Sequence, residues 1–394
     1  MYLSRIPYRV SYCLARFSPV FAHKPQAQHF RILCWLLVLL IVCQGAATLK
    51  ALTRLMPPSL RYWTVLRMIR SRYWDPYLLV RELAADLLAT LPPPQDATLY
   101  LIADTTITDK TGDQQPLAHY TRKNQHQRFQ FGISMLLLIA QWGRLRIPVD
   151  AVLLDPHKKG EQNIQFRQML RRFQPPAWTL KVVVLADAGF ASKANLRLIQ
   201  RQKYKFVFAL PRTWKFEDGT HLRDLANHLP KSHYHRVASY TTDRRRKDYW
   251  VFVRPGRLKE LGDVTILLSK RRRNEGPKTI KLIVTNLDSP TAATILQIYS
   301  RRWSVEVVFK ELKSQLHLGQ MQVTKEAGRV KRAMLLPVLS YLLLLRLYGK
   351  ELEPEKGASL FALKQRFTME VFKQQHDRTE EKWRKKFDKL RVAA

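Results

Sequence analysis

Cysteine and acidic residues are both scarce in this chain. Cys13, Cys34 and Cys43 are the only cysteines among 394 residues. They show no Cys-x-x-Cys spacing and no nearby histidine pair, which argues against a disulfide framework or structural zinc and suits a reducing cytoplasm. Long apolar runs are missing too. ILCWLLVLLIV, residues 32–42, and AMLLPVLSYLLLL, residues 333–345, fall short of the roughly 20 residues a membrane-crossing helix needs. Both therefore read as buried core helices, and no membrane association is expected. The first run also lies too far from the start of the chain to serve as a secretion signal. No internal repeat or low-complexity segment is present. Hydrophobic content of 46% and charged content of 25% are ordinary for globular protein.

The shortage of acid stands against an excess of base. There are 68 Lys and Arg but only 31 Asp and Glu, a formal net charge of +37. The excess is spread along the chain and is not confined to a tail. A folded chain this basic repels itself at low salt, and a polyanion relieves the repulsion. Nucleic acid is the usual polyanion.

The chain divides into five stretches. Residues 1–96 read as helical and as a candidate DNA-binding region. LRYWTVLRMIRSRYW interleaves Arg61, Arg67, Arg70 and Arg72 with aromatic rings. The next helix has Asp75 as N-cap and Pro76 at its first position. LPPPQ, residues 91–95, is a linker. Beyond it, residues 97–210 change to TLYLIADTT, FGISMLLLIAQW, RLRIPVDAVLL, LKVVVLADAGF and YKFVFAL, strands interspersed with helical segments at 161–173 and 191–202. That alternation predicts an α/β fold with a mixed sheet covered on both sides. Residues 211–288 hold short strands with basic turns and read as a β-rich insertion. Its expected tips carry Arg244, Arg245, Arg246 and Lys247, and Lys270, Arg271, Arg272 and Arg273. Residues 289–348 return to helix, and 349–394 form a basic helical tail.

Three carboxylates stand out. Asp104 and Asp187 each follow an apolar strand, where an ionised group is costly without a partner. A turn-capping role would explain either one alone. If the two strands are neighbours, both carboxylates meet beyond the strand ends, where such sheets bind ligands. Glu306 is the third, set among Val305, Val307, Val308 and Phe309. It shares a helical stripe with Tyr299, Arg302 and Lys313, the four falling within about 60° of arc. Pairing with Lys310 is the simpler account of Glu306. An Asp–Asp–Glu trio nevertheless suits hard, oxygen-preferring Mg²⁺, and two such ions about 4 Å apart can drive phosphodiester displacement. Arg302 and Lys313 then suit phosphate oxygens and Tyr299 a backbone or base, so both cations are expected to act on DNA and not on the fold.

Tyr299, Arg302, Glu306 and Lys313 make up Y-x2-R-x3-E-x6-K, and here the sequence resembles the bacterial insertion-sequence DDE transposases that carry this signature. Asp104 in ADTT and Asp187 in DAGF match the family's two aspartates in order, over about residues 97–348. Many relatives have two consecutive Asp at the first position, where this chain has Ala103 before Asp104. The resemblance implies a ribonuclease-H-like fold with a β-rich insertion. It also implies catalysis and metal binding by Asp104, Asp187 and Glu306 with two Mg²⁺, which Mn²⁺ can replace. The implied partners are double-stranded DNA, as terminal inverted repeats and target, and a second copy of the chain in the synaptic complex. The alternatives are a domesticated or inactive DNA-binding relative, and a nuclease that cuts without integrating.

Overall fold

The LPPPQ linker marks the change from helix to sheet. The structure is a computed structural model that describes residues 7–15, 27–111, 115–123, 128–240, 246–323, 326–351 and 359–392. Before the linker lie α1 (Tyr8–Ala15), α2 (Ala27–Val42), α3 (Leu49–Arg54), α4 (Tyr62–Arg70) and α5 (Pro76–Thr90). The Asp75 carboxylate caps α5 by accepting the Tyr77 N–H, with Pro76 in the first turn.

The sheet is built from β1 (Thr98–Asp109), β2 (Ala118–Lys123), β3 (Arg128–Trp142), β4 (Leu145–Leu153), β5 (Lys181–Ala186) and β6 (Lys205–Ala209). Four more strands follow: β7 (His235–Tyr240), β8 (Arg246–Leu258), β9 (Gly262–Lys270) and β10 (Lys281–Thr285). The order is β2-β3-β1-β5-β6-β10-β9-β8-β7, with β4 also on β3. Antiparallel β4-β3-β1 continued by parallel β5 and β6 is the ribonuclease-H-like arrangement. Leu99 to Ala103 and Val182 to Ala186 are buried without alternation, as strands covered on both faces require. Helices α6 (Glu161–Arg172), α7 (Lys193–Arg201) and α8 (Leu222–His228) occur between strands. After β10 come α9 (Ala292–Ser300), α10 (Trp303–Gln315), α11 (Ala327–Tyr348) and α12 (Leu360–Val392).

Both apolar runs lie in core helices. Residues 32–42 are in α2 and 333–345 in α11, and both runs are buried. Helix α11 is apolar on every side because α1, α2, α4, α5, α12 and β4 all pack on it. No helix among the described residues is long and apolar enough to cross a membrane.

Four details differ from the sequence reading. Strand β1 does not end at Asp104 but runs on to Asp109, because TTITD keeps the β-branched character that β3 pairs with. Polar β2 and short α8 were not anticipated. Strand β10, grouped with the hairpin strands, hydrogen-bonds to β6 as well as β9, so one sheet runs from β2 to β7. The opening stretch of the Tyr299–Lys313 stripe is not one helix. Helix α9 ends at Ser300, and the Arg301 and Arg302 N–H groups bond to Ile298 and Tyr299 in a tighter turn before α10 starts.

Candidate active site

Asp104 lies where β1 outruns β5. The parallel register pairs Ile102 with Leu185, and two residues further on Asp104 is level with Asp187, the first residue after β5. Asp187 turns the chain there: its Oδ1 accepts the Gly189 N–H at 2.9 Å. A Cβ on Gly189 would sit 3.2 Å from that oxygen and 3.4 Å from Gln162 Nε2, so glycine suits this close approach. Buried Asn195 fastens the turn, donating to Phe190 O at 2.7 Å and to Asn163 Oδ1 at 2.6 Å while accepting from Arg167.

Helix α10 presents Glu306. Its rear face buries Val305, Val308 and Leu312 completely. Glu311 anchors it by accepting from the Tyr341 hydroxyl and the Leu360 N–H, and Lys364 caps its end at Gln315 O. Glu306 does not pair with Lys310. Arg302 takes that place, holding Glu306 Oε1 at 2.6 Å and Asp104 Oδ2 at 3.3 Å with a side chain only 15% exposed. Asp104 Oδ1 accepts its neighbour's N–H, from Thr105, at 2.8 Å. Burial pushes the Asp104 carboxyl up to about 6. The Thr105 amide opposes that shift, Asp187 adds to it, Arg302 opposes it and Glu306 adds to it. The three carboxylates thus feel one another across the sheet edge, with a guanidinium between two of them.

Tyr299 is nearly buried, and burial pushes its phenol up to about 12 while the Arg302 guanidinium opposes the shift. Lys313 donates to Ile107 O at 2.7 Å. It borders a cleft of about 620 Å³ running along β1, lined also by Thr106, Gln130 and Gln320. The Arg302 guanidinium, expected to act on DNA, is bonded to Asp104 and Glu306 in this structure.

Residues 97–343 match the transposase DDE domain family. The chain belongs to that family. The transposase is also similar in fold to the piggyBac transposase of a cryo-EM synaptic complex with hairpin DNA. The TM-score is 0.50 at 12% identity, over 94% of this chain and 78% of that one. No curated protein matches the chain.

Other expected DNA-contacting residues of the transposase lie in the β-rich insertion. Arg271, Arg272 and Arg273 are exposed in the turn after β9. Arg271 lies over the Tyr249 ring at 6.0 Å and Arg273 over Trp250 at 5.2 Å. Arg246 opens β8 and pairs with Asp248 at 3.3 Å, while Arg244 and Arg245 fall outside the described residues. Sequence reasoning missed two residues of the transposase site. Asn195 carries no pattern that marks it. Lys281 is a lysine opening an otherwise apolar strand, and only the pairing of β10 brings it to the carboxylate edge.

The donor set of the transposase suits a hard divalent cation, since three carboxylates with one pushed upward by burial and its neighbours call for positive charge. As the side chains stand, no group of three His, Cys, Asp or Glu among the described residues is arranged to hold a metal ion. The Arg302 guanidinium supplies the positive charge between Asp104 and Glu306 instead.

Proposed function

We propose that Asp104, Asp187 and Glu306 are the acidic centre at which this DDE transposase cuts DNA at the ends of its element and joins those ends to target DNA. The observation that carries it is Arg302, which bonds Asp104 and Glu306 although 198 residues separate it from Asp104. Carboxylates gathered with a guanidinium at the open edge of a buried sheet are the kind of cluster found at functional sites.

The three carboxylates would hold Mg²⁺ or Mn²⁺, which supplies Lewis acidity toward the scissile phosphate and a nucleophile at neutral pH. The chain's own side chains do the rest. Asp104 and Asp187 fix their oxygens against rigid strands, Thr105 and Gly189 orienting one oxygen of each by a backbone N–H. When DNA enters, Arg302 exchanges a carboxylate for a phosphate oxygen, for which its planar fork is equally suited. Tyr299 orients that guanidinium. Lys313 lies at the far end of the stripe, beside the β1 cleft, where the strand leading away from the cut can pass. The Tyr299–Arg302–Glu306–Lys313 signature supports placing the chain with insertion-sequence transposases of bacterial type, acting in the cytoplasm as a homodimer on paired ends. Residues 1–96 and the insertion 211–288, with its tips at 244–247 and 270–273, would bind the duplex on either side of the catalytic parts, 97–210 and 289–348, with the tail 349–394 beyond.

The deciding experiment uses duplex DNA spanning the sequence that flanks the gene. Wild type should nick it only with Mg²⁺ or Mn²⁺. Asp104→Asn should lose nicking altogether while its affinity for the duplex is unchanged, because the substitution removes a metal-binding charge and no phosphate contact. Metal-dependent nicking by Asp104→Asn would overturn the assignment.

A further inference from the structure

The ten-stranded sheet brings one more cation to the carboxylate edge. Strand β10 runs antiparallel to β6, pairing Ile283 with Ala209, so its first residue lies at the same end of the sheet as the last residues of β5 and β6. That first residue is Lys281. Its ammonium stands 5.2 Å from the centre of the Tyr299 ring, and the Tyr299 carbonyl in turn accepts the Arg302 N–H at 3.1 Å. On the other side, Lys281 pairs in register with Ser269, one residue before Lys270 and two before Arg271. Lys281 therefore bridges the space between the Arg302 cluster and the basic turn after β9.

The charges around Lys281 are unbalanced. Its pKa is lowered, first by burial of the ammonium among neighbouring groups and then by Arg302 and Arg271. Glu306 and Asp187 pull the other way, more weakly. Arg302 is already shared between two carboxylates. Lys281 makes no ion pair with any acid among the described residues, and its side chain reaches solvent. Cations set close to one another without an anion raise the energy of the site, and the cost falls when an anion arrives. The nearest acid of the β9 turn, Glu275, is occupied with the Arg271 N–H and the Thr279 hydroxyl. An ammonium at the carboxylate edge of the sheet, bonded to no acid among the described residues, open to water and backed by an aromatic face, is shaped for a phosphate oxygen.

We propose that Lys281, between Arg302 and Arg271, is a phosphodiester-binding site that carries the DNA backbone from the carboxylates toward the β9 turn. The proposal rests on the reading of the site as the place where DNA is cut. It adds a residue outside the Tyr299–Lys313 stripe and fixes the direction in which the strand leaves it.

The test measures binding of a labelled 40-base-pair duplex in EDTA at a series of salt concentrations, so no cleavage takes place. The proteins are wild type, Lys281→Gln, Lys281→Arg and Lys181→Gln. Lys181 is an exposed lysine at the opposite end of β5 and serves as control. One lost phosphate contact should reduce the slope of log affinity against log salt by about one. Lys281→Gln should show that loss, Lys281→Arg should restore most of it, and Lys181→Gln should match wild type. Melting temperatures of all four proteins, recorded alongside, should agree. A wild-type slope for Lys281→Gln overturns the proposal, as does a reduced slope that is equally large for Lys181→Gln or is accompanied by a lowered melting temperature. The cutting assay is separate. If Lys281→Gln loses its contact but wild type never nicks DNA, the phosphate site stands and the catalytic reading fails. If nicking is metal-dependent and Lys281→Gln keeps its slope, the reverse holds.

Discussion

Arg302 decides how the acidic residues coexist. Asp104 and Glu306 are 16% and 32% exposed at the side chain, and the guanidinium between them is the positive charge bonded to both. Removing it leaves two carboxylates facing each other with reduced access to water. Loss of hydrogen bonds to charged groups costs on the order of 2 kcal/mol. Arg302→Ala should therefore unfold at lower denaturant concentration than wild type in EDTA. Added Mn²⁺ should raise its stability by more than it raises wild type's, since a divalent cation then has no guanidinium to displace. Identical denaturation curves in EDTA would show that the pair contributes nothing to the fold. The sequence placed Arg302 on the correct face but could not assign its partner. One of those partners, Asp104, is brought to it only by the packing of α10 against β1. For Lys281 the spacing held no signal at all, because the strand pairing that gives it meaning is long-range.

At the scale of elements, legibility followed the locality of the cause. The Asp75–Pro76 start of α5 and the strand in LKVVVLADAGF could be read directly, since a cap and a β-branched run act over a few residues. Strand β2 could not: AHYTRK is polar, lies at the sheet edge, and is a strand because β3 offers it an unpaired edge. The break between α9 and α10 was equally hidden, since Arg301 and Arg302 are good helix formers and tertiary packing overrides them. Past Asp104, β1 is held to the segment after α10 by Lys110, whose buried ammonium donates to Gly319 O at 2.7 Å. Burial lowers its pKa to about 8. In the unfolded chain a lysine titrates near 10.4. Between those values the unfolded state binds more protons, so stability rises with pH across that window. Below pH 8 both states are charged and the burial cost is present in full. The stability of wild type relative to Lys110→Met should therefore increase from about pH 8 to about pH 10 and stay level from pH 6 to 7.5. A difference that does not change with pH would mean that Lys110 keeps an ordinary pKa in the folded protein.

The whole molecule carries +37, and its surface shows where some of that charge awaits a partner. On α4 and at its two ends, Arg61, Arg67, Arg70 and Arg72 are exposed, with Trp63 and Tyr73 at 67% and 69% exposure. Buried Val65, Leu66, Met68 and Ile69 fix the opposite face of α4 against the protein, so the arginines and rings must face outward. Replacing Arg67 and Arg70 together by Gln should lower affinity for duplexes of any sequence by a similar factor. It should also reduce the salt slope by about two, without changing the melting temperature. An unchanged slope would mean that this face does not meet the phosphate backbone. The composition announced the excess of base, but which surfaces carry it depended on how α4 packs.

The unbroken sheet also acts as a ruler. From β1, which bears Asp104, to β8, which begins at the Arg246 end of its hairpin, the order passes through β5, β6, β10 and β9. Five strand steps of about 4.8 Å make about 24 Å. Along the strands, Asp104 is level with Val253 of β8, and Arg246 lies seven residues, about 23 Å, beyond that level. Backbone hydrogen bonds set the interval, and side chains cannot stretch it. The interval between the carboxylates and the β8 hairpin is thereby held by the backbone of one sheet and not by a flexible linker.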